Sequence, residues 1–162
     1  MGRLYRVPLN GTLTNAGGNT DLLSIQPADD KPCRLVGWLL GQTSEIADAA
    51  EESVRITVRH MAATFTVGSG GSAPTPQPNR PGVDLAAGFT ARVNDTTVAT
   101  TSGADTIMEE LAWNIRGSPW ERFIPEELRP RAVQGEALVV RLESTVTDDI
   151  AANLTFLVEE EG

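Results

Sequence analysis

Short segments in which apolar and polar residues alternate are the feature that most restricts the fold of this chain. In residues 54–61, Val54, Ile56 and Val58 occupy one parity, whereas Arg55 and Arg59 occupy the other. Because successive side chains of a β-strand point to opposite faces, this pattern predicts a strand with one buried side.

The same alternation occurs twice near the end of the sequence. Residues 137–144 predict a strand whose outward-facing side chains include Arg141, and residues 150–158 predict a second strand. Residues 147–149 between them are polar and typical of a turn. Because a short polar connection joins antiparallel neighbours, we expect these two strands to form a hairpin.

Residues 35–40 are apolar at both parities, with Trp38 at their centre. A strand covered on both faces has this composition, so we expect it in the middle of a sheet. Gly37 and Gly41 leave room there for a bulky neighbour or for a β-bulge.

Weaker strand candidates bring the total to about eight, with turn residues between them. They are residues 4–9, 22–26, 64–68, 88–93 and 107–115. This number and spacing predict a single all-β domain over residues 1–162, an antiparallel β-sandwich for which a jelly roll is one arrangement. Residues 44–52 are expected to form at most one or two helical turns in a loop.

Two further segments have compositions that do not suit a core. Residues 68–82 combine a Gly/Ser run with a Pro-rich run, which predicts a flexible loop or arm. Structureless loops of this length are uncommon in compact domains, so we expect either a disordered insertion or an arm that orders against a neighbour. Residues 159–162 are expected to form an acidic tail.

The residues that catalysis and metal binding require are almost absent. His60 is the single histidine and Cys33 the single cysteine, whereas a zinc site takes several such ligands. His60 falls on the buried parity of its strand, where a hydrogen-bonded structural histidine is the usual case. No phosphate-binding or dinucleotide-binding motif occurs. We therefore predict no catalytic, cofactor-binding or metal site and no enzyme activity.

The net charge of −9, from 22 acidic and 13 basic residues, opposes binding to the phosphate backbone of nucleic acids. No apolar run approaches the roughly 20 residues that a membrane helix needs. We find no signal-peptide pattern, and one cysteine cannot form an internal disulfide. These observations predict a protein that folds in a cytosol and binds neither nucleic acid nor membrane.

Aromatic and arginine side chains near predicted loops are the candidates for association with a partner, since these types are enriched at interface anchors. Trp113 and Phe123 are instead predicted to cap the ends of the core. The seven predicted interface residues are Arg3, Tyr5, Arg6, Pro76, Arg80, Trp120 and Arg122.

Four segments of the sequence resemble small proteins from the structural-gene clusters of tailed bacteriophages. They are residues 1–7 (MGRLYRV), 27–32 (PADDKP), 87–91 (AGFTA) and 129–136 (RPRAVQGE). The resemblance extends over most of the chain and implies a virion component, in first place a capsid cement or decoration protein. Such a protein is made in the host cytoplasm and binds the lattice of the major capsid protein on the capsid exterior.

The same resemblance implies self-association, with a homotrimer as the commonest form. In that arrangement Arg3, Tyr5 and Arg6 would face the shell, and Trp120, Arg122 and the 68–82 arm would touch neighbouring copies. The protein would raise the stability of the shell by mass action and avidity, without chemistry.

Two other classes of function remain open from the sequence. One is a carbohydrate-binding or receptor-binding sandwich on the virion, in which Trp38, Trp113 or Trp120 would stack on sugar rings. The other is a tail or connector component. An exposed coplanar pair of aromatic side chains would favour the first of these.

Overall fold

A computed structural model describes residues 2–44, 52–117 and 119–162 of the chain. Its described residues are almost entirely strand and turn, as the sequence predicts. The strands are β1 (Arg3–Leu13), β2 (Thr20–Pro27), β3 (Cys33–Gln42), β4 (Ser53–Met61), β5 (Phe65–Thr66), β6 (Gln77–Pro78), β7 (Phe89–Arg92), β8 (Thr100–Thr101), β9 (Asp105–Asn114), β10 (Trp120–Phe123), β11 (Arg131–Ala132), β12 (Ala137–Leu142) and β13 (Ile150–Glu160). One 3-10 turn, Glu126–Leu128, lies between β10 and β11, and no described helix could span a membrane.

The strands form two large antiparallel sheets and one small one. Sheet A has the order β10-β3-β13-β1-β6, with β11 also paired to β3, and sheet B has the order β7-β2-β12-β4-β9. The small sheet C contains only β5 and β8. The predicted all-β antiparallel sandwich is therefore confirmed, although the strand candidate at residues 64–68 is only the two-residue β5.

The order of the strands is that of a jelly roll. Antiparallel pairs are nested along the chain: β1 pairs with β13, β2 with β12, β3 with β10, and β4 with β9. Members of successive pairs alternate between sheet A and sheet B. Rolling such a nested hairpin into two packed sheets gives the jelly-roll architecture.

The predicted terminal hairpin is wrong, because β12 and β13 lie in different sheets. Strand β12 lies between β2 and β4, and β13 lies between β1 and β3. Residues 143–149 thus cross from one sheet to the other. A polar turn indicates that the chain reverses, but it does not indicate whether the next strand pairs with the previous one.

The hydrophobic core lies between the inner faces of sheets A and B. Tyr5, Trp38 and Phe156 from sheet A and Trp113 from sheet B are among its largest fully buried or nearly buried side chains. Replacing one buried aromatic side chain by alanine typically costs about 3–5 kcal/mol. The prediction that Trp113 closes the core is confirmed by its 2% exposure.

Strand β3 confirms the role predicted for Gly37. Val36 has no partner on β13, because a β-bulge shifts the register between Leu157 and Val158. A Cβ atom at Gly37 would lie 2.1 Å from the carbonyl oxygen of Arg122 on β10. Glycine is therefore required for β10 to pair at this distance.

Arg141 lies on the outer face of sheet B, as its alternation predicts, but this part of the face is covered and not open to solvent. Arg141 is only 6% exposed, and its Nε donates to Oδ1 of Asp21 at 2.6 Å. A second nitrogen donates to the carbonyl oxygen of Ala99 at 2.8 Å. Ala99, together with Phe65 of sheet C, packs over Val139 and so covers this part of sheet B. Alternation in the sequence does not show that another segment will fold across the polar face.

The Gly/Pro-rich residues 68–82 pack on their own domain. The amide of Ser69 donates to the carbonyl of Thr97 at 2.9 Å, and the amide of Ser72 to that of Val93 at 3.0 Å. Strand β6 then pairs with Tyr5 and Arg6 and extends the edge of sheet A. The sequence did not predict this, because it contains too few apolar residues here to indicate a docked segment.

The acidic residues at the end of β13 form no free tail. Glu159 pairs with Arg129 at 3.1 Å, and Glu161 pairs with Arg131 at 2.9 Å. Glu160 is part of β13 and lies between Arg3 and Lys31. The helical turns predicted for residues 44–52 fall largely on residues 45–51, which lie outside the described residues.

Candidate functional site

His60 and Cys33 are the two residues whose side chains are best suited to catalysis, but the surroundings of both indicate a structural role. The Nε2 atom of His60 lies 3.0 Å from Oε2 of Glu136, which also accepts the amide hydrogen of Val133. This contact ties the turn before β12 to strand β4. Burial raises the pKa of the Cys33 thiol to about 12, aided by the charges of Glu160 and Glu161. A thiol with so high a pKa remains protonated and is a poor nucleophile.

The described residues contain no group of three His, Cys, Asp or Glu side chains placed to hold a metal ion. Open clefts of about 430 and 440 Å³ occur beside β1 and beside β7. The first is lined mainly by glycine, proline, serine and asparagine, and the second by small or apolar residues with Gln26 and Thr90. Neither cleft presents a histidine, cysteine or carboxylate.

The two outer faces of the sandwich differ in composition and in covering. The outer face of sheet B carries Arg59 and Glu143, whose side chains form an ion pair at 2.6 Å. Part of this face lies under Ala99 and sheet C. No described strand is layered on the outer face of sheet A.

Cross-strand registers define the residues of the outer face of sheet A. In one row, Phe123 is opposite Gly37, Gly37 is opposite Leu157, and Leu157 is opposite Arg6. In the next row, Leu39 lies between Glu121 and Thr155, and Thr155 is opposite Pro8. Leu4 lies opposite Glu159 at the end of the same face. We call the side chains of Leu4, Pro8, Leu39, Phe123 and Leu157 the apolar face.

The prediction that Phe123 caps the core is wrong. Trp120 and Arg122 take the inward parity of β10, so Phe123 points outward and is 56% exposed. The bare Gly37 beside it offers no side chain to cover the ring. Phe123 is therefore the most exposed member of the apolar face.

The first three predicted interface residues have different surroundings. Arg6 is exposed and lies on the same face as Leu157. Arg3 lies 3.9 Å from the buried carboxylate of Glu160. Tyr5 is fully buried, and its hydroxyl donates to the carbonyl of Leu85 at 3.0 Å. The prediction that the Tyr5 ring contacts a partner is therefore wrong, because its parity in β1 is the inward one.

The remaining four predicted interface residues do not join the apolar face. Trp120 is half-buried and packs edge-on against Trp38, with ring centroids 5.8 Å apart at 71°. Arg122 forms an ion pair with Glu109 of β9 and so links the edges of the two sheets. Pro76 is half-buried and Arg80 is exposed, both in the segment that runs past the edge of β1.

Sequence reasoning missed most of the apolar face, although a signal was present. Phe156, Leu157 and Val158 are three consecutive apolar residues in a segment that otherwise alternates. Residues 35–40 are likewise apolar at both parities. Such runs indicate strands with two apolar faces, and only one of these faces is used by the core.

The tryptophans do not form a platform for sugar rings. Trp38 and Trp113 are buried, and Trp120 meets Trp38 at a steep angle. The coplanar exposed pair that would favour carbohydrate binding is therefore not formed by these three residues.

Comparisons with known proteins identify no relative of this chain. No family model matches it, and neither the curated proteins nor the solved structures include a significant match.

Proposed function

We propose that this protein is a non-enzymatic virion component, a capsid decoration protein that binds the lattice of the major capsid protein through the apolar face. The observation that carries this proposal is the difference between the two sides of the sandwich. Sheet B is partly covered on its outer side, whereas on sheet A Phe123 is 56% exposed and lies with the half-buried Leu4, Pro8 and Leu39 around Leu157, which is 8% exposed, with no described strand over them.

Contiguous apolar surface on a folded protein marks a site of association more often than scattered apolar residues do. Here the five side chains come from four neighbouring strands, so they are held on a rigid sheet. Little conformational entropy is lost when such a surface binds, which favours association.

Two charged side chains on the same face give the contact an orientation. Arg6 lies beside Leu157, and Glu121 lies beside Leu39, so an exposed cation and an exposed anion lie in adjacent rows of the face. A capsid subunit that offers an acidic and a basic group at the matching spacing would bind in one register. Charges at an interface contribute mostly to specificity and association rate.

The virion assignment is supported by the resemblance of the four sequence segments to phage structural proteins and by the architecture. Jelly rolls are common in viral capsid proteins, and they also occur in lectins and cupins. The apolar face supports a protein partner, whereas the buried tryptophans give no support to a glycan partner.

The mechanism that follows requires only binding. A decoration protein that binds the assembled lattice and not the dissociated subunits stabilises the lattice by mass action. Contact with more than one subunit adds avidity, because the second contact is intramolecular.

The proposal is tested by co-sedimentation with shells assembled from the major capsid protein of the same genome. We expect the wild-type chain to sediment with the shells. Phe123→Asp should lower the affinity by tenfold or more, since full burial of a phenylalanine contributes about 1.5–3 kcal/mol.

Val83→Asp provides a matched control, because Val83 is also an exposed apolar residue but lies in the loop before β7. This variant should bind like the wild type. Absence of wild-type binding to shells, or equal binding of the Phe123→Asp variant, would contradict the proposal. Binding to isolated tails in place of shells would assign the protein to the tail.

A further inference from the structure

Strand β1 is paired with β13 along its whole length, but its other side is only partly covered. On that side β6 pairs with Tyr5 and Arg6, and Nδ2 of Asn94 donates to the carbonyl oxygen of Thr12 at 2.9 Å. Between these contacts, no backbone hydrogen bond joins residues 8–11 to any described residue other than those of β13. An unpaired stretch of strand edge is a template for another strand.

The two ends of this stretch show which backbone groups are free. The carbonyl oxygen of Leu4 accepts from the amide of Asn79 at 2.8 Å, and that of Thr12 also bonds on the side away from β13. Alternate residues of an antiparallel strand direct their backbone groups to the same side. Pro8 therefore directs its carbonyl oxygen, and Asn10 its N–H and carbonyl oxygen, toward the open side. Proline is tolerated at such a position because no N–H is needed there.

A groove of about 430 Å³ lies along these free groups, and we call it the β1 groove. Residues 8–11 line it together with residues 70–72, Pro74, Val93 and Asn94. A strand residue fills about 160 Å³, from a rise of about 3.3 Å, a strand spacing of about 4.8 Å and a sheet thickness of about 10 Å. The β1 groove therefore has room for about three residues of one extended strand.

We infer that the β1 groove receives an extended segment of the capsid subunit that covers the apolar face, as one added strand of sheet A. This inference rests on the proposed function. The added residue opposite Asn10 would exchange two hydrogen bonds with it, and an amide two residues further along would donate to the carbonyl oxygen of Pro8.

The size of the groove argues against a second copy of this chain as the occupant. An edge strand of a second copy would carry its own neighbouring strand about 4.8 Å behind it, where residues 70–72 and Pro74 already lie. A contact of a few residues is also far smaller than the roughly 800 Å² per partner of a stable interface. The occupant must therefore be a single segment of a partner that is held elsewhere as well.

Pro8 provides the link to such a partner, because it belongs to the apolar face and also lines the β1 groove. The capsid subunit that is proposed to cover the apolar face therefore has its chain within reach of the groove. No residue that lines the groove is charged. A charged side chain of the segment would be buried there without a partner, so we expect small, uncharged residues in this segment.

Co-sedimentation with shells of the major capsid protein tests the inference through Asn10. Asn10→Pro removes the N–H that points into the groove and puts a ring in its place, and it breaks no backbone hydrogen bond of the free chain. The affinity for shells should fall about tenfold. Asn10→Ala is the matched control at the same position, because it shortens the side chain but keeps the N–H. This control should bind like the wild type.

Hydrogen exchange of the wild type is a second measurement that needs no substitution. The Asn10 amide has no hydrogen-bond partner in the described part of the free chain and should exchange fast there. On shells, the peptide that contains Asn10 should gain at least one slowly exchanging amide. The peptide that contains Ala86, in the exposed loop before β7, should exchange alike in both states.

The outcomes separate this inference from the proposed function. Shells that bind the wild type and the Asn10→Pro variant equally, or that leave exchange at Asn10 unchanged, would overturn the strand addition and leave the contact through Phe123 intact. An equal loss of affinity in the Asn10→Ala variant would assign the effect to the side chain and would also overturn it. Absence of wild-type binding to shells would overturn both.

Discussion

Arg141 and Asp21 form an ion pair that is almost completely buried on the outer side of sheet B. The Nε atom of Arg141 lies 2.6 Å from Oδ1 of Asp21, and the amide of Ala99 donates to Oδ2 of the same carboxylate at 2.6 Å. Burial raises the pKa of Asp21 in spite of these hydrogen bonds. The pair holds the segment before β8 against β2 and β12.

Replacing one member of this pair should therefore be costly. Arg141→Met leaves the carboxylate of Asp21 buried without its cation, and such a change typically costs about 3–5 kcal/mol. Urea denaturation gives the free energy of unfolding. Arg55→Met removes an exposed ion pair with Glu110, which water screens, and should cost much less than Arg141→Met. Similar losses in both variants would show that the Arg141 pair contributes no more than a surface pair.

Stability should fall in acid through Glu143. Burial opposes ionisation of this carboxylate, but hydrogen bonds from Thr57 and Arg59 outweigh it and hold its pKa below the ordinary 4.5. Because the folded chain then binds fewer protons than the unfolded chain, the contribution is complete above the unfolded pKa. It is lost as the pH falls through the lower folded pKa.

The free energy of unfolding, measured between about pH 7 and pH 3, should therefore decline less steeply below about pH 5 in the Glu143→Gln variant than in the wild type. The variant should also be less stable at neutral pH. Glu121→Gln, at an exposed position of β10, serves as the control and should reproduce the wild-type slope. An unchanged slope for the Glu143→Gln variant would refute the assignment.

Gly37→Ala should disturb strand β10 selectively. The added Cβ would overlap the carbonyl oxygen of Arg122, so β10 must move away from β3, and overpacking of this kind typically costs about 1–3 kcal/mol. Hydrogen exchange should show faster exchange for the amides of β10 than for those of β1. Gly11→Ala is a suitable control, because a Cβ there meets nothing within 4 Å.

Cys33 should react slowly with thiol reagents in the folded protein. Its side chain is buried, and the pKa of about 12 leaves little thiolate at neutral pH. Labelling with a chromogenic disulfide should be slow in buffer and fast in denaturant. The exposed thiol of an Ala86→Cys variant should react fast in both. Rapid labelling of wild-type Cys33 in buffer would show that this end of sheet A opens readily.

Local alternation was sufficient to predict the architecture. Val54, Ile56 and Val58 alternate with polar residues, and they form the inward side of β4 as predicted. Gly37 was predicted to leave room for a bulky neighbour or a bulge; it lies beside a bulge, and the neighbour it makes room for is the backbone carbonyl of Arg122. These features depend on a few neighbouring residues, so the sequence contains what is needed to predict them.

Features that depend on distant segments were not predicted. Arg141 has the alternation of an exposed residue, but Ala99, which lies far away in the sequence, covers it. Phe123 is a large apolar residue of the kind that usually lies in a core. It points outward because Trp120 and Arg122 take the inward parity of β10. Tyr5 lies close to Arg3 and Arg6 in the sequence, which favours an exposed position, but its parity in β1 is the inward one. The apolar face combines four strands, and their register is a property of the whole fold.

The position of β13 in sheet A has a consequence for folding during synthesis. Strands β1 and β3 leave the ribosome long before β13, yet β13 lies between them in sheet A. Strands β1 and β3 therefore cannot join into one sheet until β13 has been synthesised. Pairings between such distant segments are slow to form, and chaperone binding during synthesis would shield these strands until β13 arrives.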